Sequence, residues 1–158
     1  MINGVTVTID SRDWVVSVAQ SLPELQQGLS GVASIPAQTG KLFDLGSDKL
    51  VTVNAYDMLF PIDVVFIGAD MKVTEIAPNL VPGPTSAVTS TIPARYFLEM
   101  NAGEYTGLSH DDVVTFAGYT PGILLGGINL GEIMNLMITL MMVSMMMKMM
   151  TGAIKQIK

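Results

Sequence analysis

Residues 5–18 read VTVTIDSRDWVVSV, and this stretch decides the fold class. Apolar residues alternate with Thr6 and Thr8, and a second β-branched run begins at Trp14. Alternation with a period of two is the pattern of a strand that buries one face. The polar residues 10–13 separate the two runs and are typical of a turn. The stretch therefore predicts two paired β-strands.

The same pattern of short apolar runs continues to about residue 118. Residues 78–93 are too rich in proline for a central strand, so they predict a long surface loop. Seven or eight short strands need a second layer to cover each half-buried face, which predicts a small two-sheet β-sandwich or a partly closed barrel. The further predicted strands are residues 41–43, 50–55, 62–67, 72–76, 95–100 and 113–116.

One short helix is predicted after the first pair of strands. Ser21 suits the N-cap, Pro23 suits the first helical position, and the acid Glu24 complements the helix dipole. Glycine commonly follows the last helical residue, so the helix is expected to end at Gly28 or Gly31.

Composition limits the possible functions. The chain has 158 residues, of which 49% are hydrophobic and 14% charged, which fits one ordinary domain and excludes a second full one. A formal net charge of -6 does not suit binding to nucleic acid. Cysteine is absent, so thiolate chemistry and cysteine-ligated metals are excluded. The single histidine, His110, precedes Asp111 and Asp112, a spacing that is poor for joint coordination. We predict no metal and no cofactor.

The C-terminal part is compositionally different. Nine of the 13 methionines lie between residues 134 and 150, and residues 133–147 carry no charge. Asn129 and Glu132 have the spacing of a capping box, which predicts a helix from Leu130 to about residue 150 or beyond. The predicted domains are therefore a β head at 1–118, a glycine-rich linker at 119–129, and an apolar methionine-rich helix with a basic tail at 130–158.

Two environments compete for this helix. At about 1.5 Å per residue it is long enough for a lipid bilayer, and the lysines that follow it favour a C-terminus inside the cell. Residues 1–10 show no export signal, however, which conflicts with a head outside. Methionine also fills the gaps between identical helices, and we favour such a homo-oligomer, or other subunits, as the partner. A methionine site for copper(I) and a groove for other helices are weaker alternatives. The predicted assembly face consists of Asn135, Thr139, Met142 and Met146.

Short motifs between residues 16 and 116 occur in a fixed order: GL at 28–29, GKLF at 40–43, FPIDVVFI at 60–67, YFLE at 96–99 and DV at 112–113. In this order they resemble the family called domain of unknown function 192, which has GMLF, IPLDIxFI, YVLE and GDxV. The resemblance implies a small β-sandwich without an established biochemical role. The family's FWMKNT stretch reads VNAYDM here, at residues 53–58, so its Trp and Lys are absent.

Three acids are candidate ligand-binding residues of the head: Asp57, Asp63 and Glu99. Asp57 and Asp63 are six residues apart, but Pro61 interrupts the strand between them. The simpler interpretation is that Asp63 accepts hydrogen bonds from loop amides and that Asp57 is solvated. Glu99 is the acid of the YFLE motif. No catalytic residue is predicted.

We therefore predict a non-enzymatic structural or assembly subunit. Its β head is displayed by the C-terminal helix, which assembles at a membrane or in a particle such as a virion. The alternative is a membrane-tethered module whose head binds a small ligand. The localisation stays open between a membrane and a large protein assembly.

Overall fold

A computed structural model describes residues 1–122, 124–125 and 128–156, with the side chains of residues 1–122 and 137–152. Two compact units are present, Met1–Pro121 and Gly122–Lys158. The first unit contains the β head, and the second contains the C-terminal helix.

The described elements follow the chain in this order: β1 Ile2–Ile9, β2 Arg12–Ala19, α1 Leu22–Gln27, β3 Thr39–Lys49, β4 Thr52–Asn54, β5 Ile62–Ile67, β6 Val73–Leu80, β7 Ala87–Thr89, β8 Ala94–Asn101, β9 Val114–Ala117, β10 Leu124–Leu125, β11 Ile128–Asn129 and α2 Leu130–Gln156. The prediction of a mainly β head with one short helix is confirmed.

Seven strands of the head form one sheet in the order β6-β5-β8-β3-β2-β1-β9. This sheet curls until its two edge strands approach each other, where Lys72 and Val113 form a bridge. The amide of Val73 donates to the carbonyl of Asp112 at 2.9 Å, and the amide of Asp111 donates to the carbonyl of Val73 at 2.8 Å. The second sheet of the head contains only β4 and β7. The fold is therefore a half-barrel with a small second sheet.

The predicted loop at 78–93 is only partly a loop, which corrects that prediction. Strand β6 continues through Pro78 to Leu80, and β7 lies inside the segment and pairs with β4. Because β6 is an edge strand, Pro78 needs no ladder partner for the amide hydrogen it lacks. Pro78 therefore does not end strand β6, contrary to the prediction.

Each face of the curled sheet has its own core. The inner face buries Trp14, Tyr96 and Leu98. The outer face buries Phe43, whose ring stacks on Phe97 with centroids 4.2 Å apart. Hydrophobic side chains of α1, β4 and β7 pack against this outer cluster. These three elements form the layer that a single half-barrel sheet needs over its outer face.

A buried carboxylate fixes the last residues of the head. Asp44 accepts hydrogen bonds from Arg95 Nε at 3.0 Å and from the Tyr119 hydroxyl at 2.5 Å. Burial and the neighbouring Asp44 raise the pKa of Tyr119 well above its usual value. The hydrogen bond connects the segment after β9 to the middle of the sheet.

Helix α2 presents apolar side chains to solvent on every side. Among residues 137–152 its large hydrophobic side chains are exposed by between 48% at Val143 and 73% at Met149. Thr139, Met142 and Met146 of the predicted assembly face are exposed, whereas the side chain of Asn135 lies outside the described residues. In the described part of the chain, no helix is both long and apolar enough to cross a membrane.

Gly40 provides a test of the packing between β3 and β8. A Cβ atom at Gly40 would lie 2.3 Å from the Glu99 carbonyl oxygen, so Gly40→Ala forces the two strands apart. We expect Gly40→Ala to lower the free energy of unfolding by about 1–3 kcal/mol in urea denaturation. The control is Gly83→Ala, whose Cβ would meet nothing closer than 3.9 Å. Equal effects of the two substitutions would contradict this packing.

Candidate functional site

Strand register brings two buried charged residues together on the outer face of the sheet. Lys41 on β3 pairs with Glu99 on β8, and Glu99 also pairs with Val64 on β5. Directly opposed residues on neighbouring strands point to the same face. Lys41 is 5% and Glu99 4% exposed. Few lysines and glutamates are buried to this extent unless they have a partner.

One oxygen of Glu99 lacks a hydrogen-bond partner. Its Oε2 atom is buried and accepts no hydrogen bond. Burial raises the pKa of Glu99 to about 8, although the charge of Lys41 acts in the opposite direction. At neutral pH the carboxyl group is therefore mainly protonated, and it can donate one hydrogen bond and accept others.

Lys41 is held by the end of helix α1. Its Nζ atom donates to the carbonyl of Gly28 at 2.9 Å and lies 5.9 Å from the centre of the Phe43 ring. Burial lowers the pKa of Lys41, while the nearby acids Glu99 and Glu24 act to raise it. The contact places the positive charge at the C-terminal end of α1, where the helix dipole favours a cation.

The position of α1 follows from its caps. The Glu24 carboxylate accepts from the Ser21 amide at 3.1 Å, which fixes the start of the helix. Gly28 has a φ of +52°, which favours glycine, and it ends the helix as the sequence predicted. Pro23 occupies the second helical position instead of the first, because Leu22 is already helical.

A cavity of about 60 Å³ lies between α1 and β4, and Glu99 is part of its wall. Phe43 and Phe97 form an aromatic wall, and the surface-exposed Gln27 and Asn54 also line it. Further lining residues include Gly28, Leu29, Val53 and Met58. Residues 53–58, where the chain departs from the FWMKNT pattern, thus contribute to this wall.

The structure separates the three candidate acids. Asp63 is buried on β5 and accepts hydrogen bonds from the amides of Asn79 at 2.8 Å and Tyr105 at 3.1 Å. Asp57 is exposed. Asp63 therefore accepts hydrogen bonds from backbone amides, but Asn79 lies on strand β6 and not in a loop as the simpler interpretation expected. Glu99 lines the cavity, and neither aspartate does.

Sequence reasoning missed the role of Lys41. The available signal was the GKLF motif, because a lysine within a run that forms a buried strand needs a partner. Among the described ion pairs, His110 occurs once, with its Nδ1 atom 3.1 Å from Asp111 Oδ2. Both side chains are exposed. Within the described residues, no cluster of three or more His, Asp or Glu side chains suits a metal ion.

Comparisons with known proteins agree with the motif series. The profile of the family DUF192, described as "Uncharacterized ACR", matches residues 5–116. A crystal structure of a candidate transcription regulator from Sinorhizobium meliloti 1021 is 28% identical, with a TM-score of 0.69; the match covers 75% of this chain and 98% of that one. A protein of unknown function from Novosphingobium aromaticivorans DSM 12444 is 27% identical, with a TM-score of 0.65, over 70% of this chain and 82% of that one. No curated protein matches.

The unusual pKa of Glu99 predicts how stability depends on pH. A glutamate in the unfolded chain titrates near pH 4.3, so between there and pH 8 the folded chain binds more protons than the unfolded chain. The free energy of unfolding therefore falls as the pH rises through this window and levels off above about pH 8. The expected loss from this group is on the order of 3–5 kcal/mol.

Denaturant unfolding of the full chain and of Glu99→Gln, compared from about pH 5 to about pH 9, measures this effect. The difference between the two free energies should change with pH because only the wild type loses stability at this site. Asp57→Asn is the matched control, since it replaces an exposed acid. A difference between wild type and Glu99→Gln that does not change with pH would contradict a raised pKa.

Proposed function

This chain belongs to the DUF192 family, and we propose that it is a non-enzymatic assembly subunit whose helix α2 holds the β head in a complex of identical chains. One observation carries the proposal: the apolar side chains of residues 137–152 are exposed around the whole helix. Contiguous apolar surface of this kind is rare on a separate soluble chain and marks an interaction surface.

Methionine favours other copies of the helix as the partner. Its side chain is unbranched and flexible, so several methionines can fill irregular gaps between packed helices. Thr139, Ser144 and Lys148 interrupt the apolar surface, and in a bundle they can contact polar groups of neighbouring chains. The proposed assembly forms at a membrane or within a particle such as a virion.

The predicted assembly face has a geometric basis in α2. At 3.6 residues per turn, Thr139, Met142 and Met146 share one side of the helix. Ser144 and Lys148 lie on the opposite side. We propose that copies pack most closely along the first side, which contains no charged residue between residues 137 and 152.

The cavity beside Glu99 favours a second candidate function, in which α2 tethers the chain to a membrane and the head binds a small ligand. A buried carboxyl oxygen without a hydrogen-bond partner costs free energy, and a ligand that pairs with it would recover this cost. This function and the assembly of α2 are separate properties of the chain.

Light scattering of the purified full chain without detergent tests the assembly. We expect a mass of several chains, and we expect a monomer when the chain is truncated after Gly122. Met146→Lys should lower the assembled mass, because it places a charge in the packed face. The matched control Ser144→Lys adds the same charge on the opposite side and should have a smaller effect.

One result would contradict the proposed assembly, and another would contradict the assigned packed face. A full chain that is a monomer and is extracted only with detergent would contradict the assembly and favour the membrane tether. An equal loss of assembled mass with Met146→Lys and Ser144→Lys would contradict the assignment of the packed face.

A further inference from the structure

The cavity beside Glu99 combines a buried polar group with free space. Glu99 is part of the wall of a cavity of about 60 Å³, and its Oε2 atom has no hydrogen-bond partner. We propose that this cavity binds the carboxamide group of a small molecule, which pairs with the Glu99 carboxyl group. The inference rests on the second candidate function, ligand binding by the head, and it names the class of ligand.

The size of the cavity limits what can enter. A space of about 60 Å³ is larger than one water molecule requires and smaller than the roughly 150 Å³ cavity that binds benzene. It therefore suits a group of about three or four non-hydrogen atoms, such as a simple amide. The aromatic wall of Phe43 and Phe97, together with Met58, offers contacts for a methyl group.

The charges around the cavity favour a neutral ligand. Lys41 is occupied by the Gly28 carbonyl and does not line the cavity. An anion would therefore lose its water without gaining direct contact with a cation. A cationic ligand would be repelled by the nearby Lys41 charge. Among the lining residues, Glu99 is the one with an ionisable side chain.

Hydrogen-bond chemistry then selects the carboxamide among neutral groups. Because burial raises the pKa of Glu99 to about 8, its carboxyl group is mainly protonated at pH 7. A protonated carboxyl group offers one O–H donor and one carbonyl acceptor. A primary amide offers the complementary carbonyl and N–H, so the two groups can form a pair of hydrogen bonds. An alcohol or a water molecule has no such planar donor and acceptor pair.

The same chemistry predicts that binding depends on pH. When Glu99 ionises it loses its donor, so affinity should fall as the pH rises above about 8. The other ionisable groups that act here are Lys41 on β3, whose charge favours ionisation of Glu99, and Glu24 on α1, which acts on Lys41. Val64 on β5 and the lining residues Val53, Asn54 and Met58 carry no charge.

Methyl NMR of the full chain with ¹³C-labelled methionine tests the proposal, with acetamide as the probe. Met58 lines the cavity, whereas Met100 belongs to the inner core and serves as an internal reference. We expect acetamide to shift the Met58 signal in a saturable way, with a dissociation constant in roughly the millimolar range. Sodium acetate and methylammonium chloride are the anionic and cationic controls, and neither should shift it.

Three variants of the full chain show whether Glu99 is the partner. Glu99→Leu should abolish the acetamide shift, while Asp111→Asn, at an exposed position away from the cavity, should leave it unchanged. Glu99→Gln keeps one donor and one acceptor, so it should bind acetamide at pH 7 and at pH 9.5 alike. Wild type should bind about thirtyfold more weakly at pH 9.5 than at pH 7, in proportion to the protonated fraction of Glu99.

Saturable acetamide binding with this pattern of variants supports the proposal. Preferential binding of acetate or methylammonium would overturn the carboxamide assignment but leave ligand binding by the head intact. No saturable shift with any probe, as expected of a cavity that holds only water, would overturn both. If Glu99→Leu does not fold, the pH dependence still tests the proposal. A wild-type affinity that is independent of pH, like that expected of Glu99→Gln, would overturn it. None of these results depends on the assembly of α2.

Discussion

An apolar helix surface in water is unfavourable, and this constraint governs the proposed role of the whole chain. Residues 137–152 of α2 contain a single charged residue, Lys148, and their large hydrophobic side chains are about half exposed or more. An amphipathic helix buries one stripe and keeps the rest in water, whereas a helix that is apolar all round needs cover on every side. In the proposed assembly, neighbouring copies of the helix would provide such cover, and the head would be displayed at the periphery of the complex.

The head satisfies its own constraints independently. Seven strands curl until β6 and β9 meet, so the inner face closes around Trp14 and Tyr96 without a second large sheet. The outer face is covered by α1, β4 and β7 over Phe43 and Phe97. Between this cover and the sheet lie Lys41 and Glu99, which are expensive to bury. Lys41 is satisfied by the end of α1, and Glu99 is left beside the cavity.

Local sequence signals were sufficient for most strands. Strand β5 was predicted at residues 62–67, where the structure has it, because Pro61 and Gly68 bound a run that is apolar except for Asp63. The curl of the sheet could not be predicted in the same way. It depends on the bridge between Lys72 and Val113, which are 41 positions apart, and no local pattern specifies such a contact. Strand β7 was missed because prolines surround it, although the edge position of β6 makes Pro78 acceptable.

The candidate site could be predicted only in part, because local sequence does not specify which strands lie opposite each other. Glu99 was chosen from the YFLE motif, but Lys41, which lies opposite it, was not, because the β3–β8 register that opposes them is a property of the fold. Asp63 has the amide partners expected for it, although one of them, Asn79, belongs to β6 and not to a loop. A charged residue in a strand that is otherwise predicted to be buried was the available signal for this pair.

Electron cryo-microscopy of the full chain purified without detergent tests the central claim most directly, since it images what surrounds residues 137–152. The account predicts a cluster of packed α2 helices from several copies, with the heads outside it. A lipid or detergent belt around single helices, or particles that contain one chain each, would contradict it.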